Sequence, residues 1–216
     1  MLREFITLFS IMGNSGQMGD GMREILLVRH GETEWSRSGA HTGRTDLPLT
    51  AAGRDNAAAL GRYLGGRRFS LVLCSPMERA RETCRLAGFG DVAQTEPNLC
   101  EWDYGEFEGR TTAEIQKEIP GWSLWVSGVR NGETIGQVAA RADAVIARAL
   151  QAEGDGAEGD VALFAHGHIL RILAARWLGL PGDAGRLFAL GTAAVSSLGY
   201  ERETRVITRW NLSILG

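Results

Sequence analysis

The sequence predicts an α/β fold, a three-layer sandwich with a mostly parallel central sheet, on two observations. Three short apolar runs, EILLVRH at 24–30, LVLCS at 71–75 and VALFAH at 161–166, lack the alternation of half-exposed strands and read as strands buried on both faces. Longer stretches with helical spacing separate and follow them, and strands alternating with helices imply a parallel sheet covered on both sides by right-handed crossovers.

Each element has a local reason. The first strand ends in Arg29-His30 and Gly31, so it feeds a loop. Thr50 caps a helix that runs to Leu64 with Ala and Leu at helical spacing. After the second strand, Pro76 breaks the chain and a helix spans Glu78 to Leu86. A short helix over Thr111–Ile119 stops at Pro120-Gly121, and an Ala-rich helix over Thr134–Ala152 stops at Gly154. The third strand leads into a helix over Ile169–Leu178, ended by Gly179 and Pro181. Val195–Tyr200 and Val206–Trp210 read as a terminal hairpin. The Trp-rich stretch 98–133 has weaker periodicity and reads as an insertion over one end of the sheet, a lid on the site.

The 216 residues fit a single domain over 22–216 that carries this insertion. Residues 1–21 read as a flexible N-terminal extension, with Met22 as an alternative start. Their short apolar stretch is interrupted, and no small-residue cleavage site follows it. No apolar run has the length of a membrane span. The net charge of −3, without a basic region, argues against a nucleic-acid partner. Three cysteines, Cys74, Cys84 and Cys100, fit neither a disulfide framework nor a zinc site and read as reduced thiols in a cytoplasmic protein.

The chemistry lies where the strands end. Ligands of open α/β sheets sit beyond the carboxyl ends of the strands. There the chain places Arg29-His30-Gly31, then Ser75-Pro76 with Arg79 and Arg81 beyond, then His166-Gly167-His168. Arginines match phosphate oxygens with paired donors, and a neutral imidazole is a competent nucleophile at neutral pH. One histidine can attack phosphorus while another donates to the equatorial oxygens. Glu101 in EWDYGEFEG is the candidate acid for the leaving oxygen, a role expected to need a raised pKa. With four histidines and no completing cluster, no metal and no cofactor are expected. His168 reads as structural, and Trp102, Trp122 and Trp125 as lid packing.

Six blocks carry a resemblance. LVRHGETEW (27–35), HTGRTDLPLT (41–50), CSPMERARET (74–83), EWDYGEFEG (101–109), NGET (131–134) and AHGHILR (165–171) resemble, in order and spacing, the histidine phosphatase superfamily. That superfamily includes phosphoglycerate mutases and fructose-2,6-bisphosphatases, so the resemblance implies a phosphoglycerate mutase-like fold. It implies that His30 becomes phosphohistidine, that Arg29, Arg79 and His166 bind the transferring group, and that Glu101 acts as acid and then base. The stretch 36–48 resembles the sedoheptulose 1,7-bisphosphatase-like branch, and a similar block occurs in mycobacterial acid phosphatases. From that branch His41, Thr42, Tyr104 and Arg171 are carried over as substrate-binding.

The function expected is a metal-independent phosphatase for a sugar phosphate or bisphosphate. The alternatives are a cofactor-dependent phosphoglycerate mutase and a non-catalytic phospho-ligand or protein-binding module. Glu106, Glu108 and Glu114 make the region after Tyr104 acidic, which is expected to disfavour a second anionic group and so favour water as acceptor. The partner expected is a small phosphorylated molecule. The apolar hairpin and Leu187–Leu190 are free to pack in the core or to form a homodimer.

Overall fold

The structure, a computed structural model, describes residues 23–154 and 158–214. The extension expected over 1–21 and the alternative start at Met22 lie outside the described residues. A six-stranded sheet has the order β3-β2-β4-β1-β5-β6. Strands β1 (Ile25–Arg29), β2 (Phe69–Cys74), β3 (Gln94–Thr95) and β4 (Asp160–Ala165) are parallel. The hairpin of β5 (Val195–Glu201) and β6 (Thr204–Leu212) adds antiparallel to β1, so the apolar C-terminal strands extend the sheet.

The continuous apolar runs are explained by cover on both faces. Along β1 and β4, Ile25, Leu27, Val161 and Leu163 point into one core with Val138, Ala142 and Val145 of α6 (Ile135–Gly154) and Ile169, Ile172 and Leu173 of α7 (Gly167–Trp177). Their neighbours Leu26, Val28, Ala162 and Phe164 point the other way. They pack on Leu60 and Leu64 of α2 (Ala51–Leu64) and on Ala80 and Cys84 of α3 (Glu78–Leu86). Thr50 caps α2, its side chain accepting from the Gly53 amide.

Three short helices complete the chain: α1 (Glu34–Ser38), α4 (Thr112–Glu118) and α5 (Leu124–Ser127). The first and last, like the two-residue β3, have no counterpart in the sequence reading. Capping boxes start α1 at Thr33 with Ser36 and α4 at Thr111 with Glu114. The stretch 98–133 is far from a loose loop: Leu99, Trp102, Tyr104, Phe107, Ile115, Trp122 and Leu124 all belong to the α6–α7 core. Free thiols occur at Cys74, Cys84 and Cys100.

Candidate active site

Register brings the strand ends together. Arg29 lies opposite Ala165 and Cys74 opposite Phe164. The ladder continues one residue further, with the His30 amide donating to Ala165 O and the Ser75 amide to Phe164 O, each at 2.9 Å. His30, Ser75 and His166 therefore stand side by side where β1 and β4 end. The chain leaves β1 toward β2 and leaves β4 toward β5, so the crevice between them is the switch point of the sheet. The imidazoles of His30 and His166 have centroids 5.2 Å apart.

The His30 tautomer is set by its hydrogen bond. Its Nδ1 lies 2.7 Å from Gly31 O. A carbonyl only accepts, so Nδ1 carries the proton and Nε2 keeps its lone pair. Burial, with the Arg29 and Arg79 charges, lowers the His30 pKa to about 3, so the ring is neutral.

Arg79, on the first turn of α3, is fully buried. Its Nε donates to His166 Nδ1 at 3.1 Å, Nη1 to Thr45 O, and Nη2 to Thr42 O and Gly43 O. Because His166 Nδ1 accepts, the ring proton sits on Nε2, which donates to Ser75 Oγ at 2.7 Å. Arg29 donates through Nη1 to Leu190 O at 2.6 Å, while its buried Nε has no partner among the described residues. An orphaned guanidinium donor beside a nucleophile is what an anion would satisfy. Among the described residues, neither arginine forms an ion pair with a carboxylate.

Glu101 departs from expectation. Its Oε1 accepts from the Trp102 and Ile169 amides and its Oε2 from the His168 amide, each at 3.0 Å. His168 and Ile169 open α7, so the carboxylate sits on a helix N-terminus. Burial pushes its pKa up, but the hydrogen bonds from His168 and the surrounding positive potential outweigh burial and hold it well below the usual carboxylate range. The raised pKa expected from the sequence is therefore corrected: Glu101 is ionised in the empty site.

A cavity of about 440 Å³ opens over these groups. The structure gathers Arg29, His30, Glu101, His41, Thr42, Tyr104 and Arg171 on its wall, with Arg79 and His166 buried directly behind. His41 stacks on Tyr104 at 4.8 Å, and burial with the nearby His168 lowers its pKa to about 4. Arg171 lies over the Trp125 ring at 4.6 Å and donates to Gly185 O. Arg81 is not part of the site; it faces a separate cavity with Arg54 and Arg85.

Two further expectations change. His168 is more than structural: it lines the cavity, and its Nδ1 lies 2.7 Å from the Tyr104 hydroxyl. Trp122 and Trp125 line the cavity as well as packing, whereas Trp102 is wholly core. The acids after Tyr104 are held by partners away from the cavity wall, though the Glu108 charge reaches Arg79 and Tyr104. Glu106 binds Asn131, Glu108 accepts from the Gly43 and Thr45 amides, and Glu114 caps α4; none lines the cavity. Sequence reasoning did not single out Ser36, Thr112, Gln116 or Ser123, polar side chains on the cavity wall that carry no local motif.

A neutral imidazole with a bare nitrogen, two arginines that form no ion pair among the described residues and a capped carboxylate meet at the switch point of a parallel sheet, an arrangement suited to holding a phosphoryl group. The chain belongs to the histidine phosphatase superfamily (branch 1), whose family pattern matches residues 25–213. It is similar to an acid phosphatase of Mycobacterium tuberculosis, 40% identical over 92% of this chain and 95% of that protein. It is also similar to a sedoheptulose 1,7-bisphosphatase of Saccharomyces cerevisiae, 37% identical over 72% of this chain and 67% of that protein. Among solved structures, a Mycobacterium tuberculosis open reading frame superposes with a TM-score of 0.84 at 39% identity, over 89% of this chain and 98% of that one. The first two relatives are named phosphatases, in keeping with a phosphoric monoester hydrolase, while others, such as one of Enterobacter sp. 28% identical over 90% of this chain, are named probable phosphoglycerate mutases.

Proposed function

We propose that the chain hydrolyses a small phosphorylated metabolite, a sugar phosphate or bisphosphate, without a metal and through a phosphohistidine at His30. The observation that carries this reading is the tautomer: Gly31 O holds the His30 proton on Nδ1 and leaves Nε2 to attack. Arg29, with its orphaned Nε, receives the phosphoryl oxygens, while the Arg79 guanidinium, bonded to the neutral His166 ring, supplies positive charge behind. Nε2 forms a bond to phosphorus as the ester oxygen leaves with a proton delivered at Glu101. Water then attacks phosphorus and gives its proton to Glu101 as the Nε2–phosphorus bond breaks and its electron pair returns to Nε2, and inorganic phosphate departs.

The far wall supports a substrate with a second anionic group. Arg171 forms no ion pair among the described residues, and Trp125 holds its guanidinium in place. Hydroxyl and amide side chains between the two ends, Ser36, Thr112, Gln116 and Ser123, suit sugar hydroxyls. The name of the sedoheptulose bisphosphatase points the same way. We read the stretch 98–133 as the lid that sets specificity, and the free thiols as belonging to a cytoplasmic protein. No helix among the described residues is long and apolar enough to cross a membrane.

Phosphate release across sugar phosphates, sugar bisphosphates, phosphoglycerates and an aryl phosphate, with a chelator present, tests the reading. The expected result is chelator-resistant release, fastest from a sugar bisphosphate and abolished in His30→Ala. Isomerisation of 3-phosphoglycerate with little phosphate release would instead make the chain a mutase.

A further inference from the structure

Glu101 is poorly placed to hold the leaving-group proton alone. Three amide donors at the start of α7 favour its ionised form. Two occupy Oε1 and only one occupies Oε2, so the open lone pair belongs to Oε2. A second titratable atom, His168 Nδ1, lies 3.8 Å from that oxygen. The same nitrogen lies 2.7 Å from the Tyr104 hydroxyl. Burial, reinforced by Glu101, holds the Tyr104 pKa well above the usual phenol value, so the phenol keeps its proton and can donate to an unprotonated Nδ1. When Nδ1 is protonated, the hydroxyl can rotate and accept.

The charged and titratable groups facing His168 decide when that happens. Glu101 and Tyr104 have been described; the others are His41, with centroids 6.2 Å away, Arg29 from β1 and Arg171 from α7 itself. Indole rings of Trp102 and Trp125 close the remaining sides. Burial and the two arginines hold the ring neutral in the empty site. A phosphoryl dianion bound at Arg29 offsets those cations and favours a proton on Nδ1.

Building on the phosphatase reading, we propose that His168 stores the proton Glu101 delivers. Substrate binding brings the proton to His168 Nδ1. As the phosphorus–oxygen bond breaks and the His30 Nε2–phosphorus bond forms, Nδ1 passes the proton to Glu101 Oε2 and Oε2 passes it to the leaving oxygen. In the second half, the proton from the attacking water goes to Oε2 and back to Nδ1, and it leaves with phosphate. Glu101 touches the reacting oxygen; His168 acts through it.

The test uses the full chain with His168→Asn, and His168→Gln as a second variant should the first not fold. Tungstate, a dianion that does not titrate near neutral pH, is added in weak buffer with an indicator dye. The wild type is expected to take up about one proton per bound tungstate and the variants well under half of that. In turnover, the kcat/KM ratio of glycerol phosphate to 4-nitrophenyl phosphate, whose leaving oxygen needs no proton, is expected to fall about 100-fold in the variants, since kcat/KM reports the half-reaction up to leaving-group departure. Tungstate binding to the wild type without proton uptake overturns the proposal. So does an equal loss on both esters, the outcome of a merely structural role. If tungstate does not bind and no ester is hydrolysed, the phosphatase reading fails and this proposal fails with it.

Discussion

Arg79 Nε donates to His166 Nδ1 at 3.1 Å, so one arginine fixes the tautomer of the histidine behind the nucleophile. The remaining Arg79 bonds go to three backbone carbonyls of the loop before α2, at Thr42, Gly43 and Thr45. Lysine has no fork and cannot serve these acceptors at once. Arg79→Lys is therefore expected to lower kcat for phosphate release by roughly 100-fold or more. Leaving buried carbonyls unpaired should also cost about 2–4 kcal/mol in urea unfolding. Wild-type turnover in Arg79→Lys would show that the guanidinium is dispensable.

Stability should fall on mild acidification. An unfolded histidine binds its proton below a pH of about 6.5. In the fold, burial holds His30 and His41 neutral until about 3 and about 4. Between those values the unfolded chain binds more protons, so stability rises with pH and is lost as pH falls from about 6.5 toward about 4. The limit is about 1.4 kcal/mol per pH unit for each histidine. Glu101, whose pKa is lowered, adds loss in the same direction only below its unfolded value of about 4.3. Urea midpoints at pH 7 and pH 5 should differ in this sense, and His41→Phe should narrow the gap.

How much of this was legible depends on whether the signal was local. The buried strands showed as apolar runs because both faces are covered, and His30 and His166 followed because they directly succeed those runs. Helix α1 left no apolar pattern because none of its residues is buried. Its start and stop, the Thr33–Ser36 box and Gly39 at φ +80°, are capping signals that a search for periodicity passes over. Arg79 and Arg81 looked equivalent, yet two positions on a helix are about 200° apart, so only one can face the crevice. The ionised state of Glu101 was unreadable, since two of its three donors come from α7, far along the chain. The same holds for the acids after Tyr104, whose partners include amides of a distant loop.

Close backbone approach makes another test. A Cβ at Gly53, in the first turn of α2, would sit 2.2 Å from Glu32 O, and one at Gly31 would sit 2.4 Å from Gly53 O. The loop carrying His30 thus rests directly on α2, and Gly31 N also donates to Thr83 Oγ1 of α3. Gly53→Ala must push these backbones apart, so it should destabilise by about 1–3 kcal/mol. It should also lower kcat more than it raises KM, because it moves the nucleophile. A variant with wild-type melting temperature and kcat would contradict this packing.

The far wall gives the sharpest specificity test. Arg171 is anchored by Gly185 O and by the face of Trp125, and among the described residues it forms no ion pair. A sugar monophosphate leaves this cation unused, whereas a bisphosphate can pair with it. Arg171→Gln should therefore raise KM for a sugar bisphosphate by about 10- to 100-fold, the loss of one or two charge-assisted hydrogen bonds. KM for the matching monophosphate should change little. Trp125→Ala should show the same selectivity more weakly, since it frees the guanidinium without removing it. Equal losses on both substrates would mean that Arg171 supports the cavity wall rather than a second anionic group, and would return a sugar monophosphate to first place.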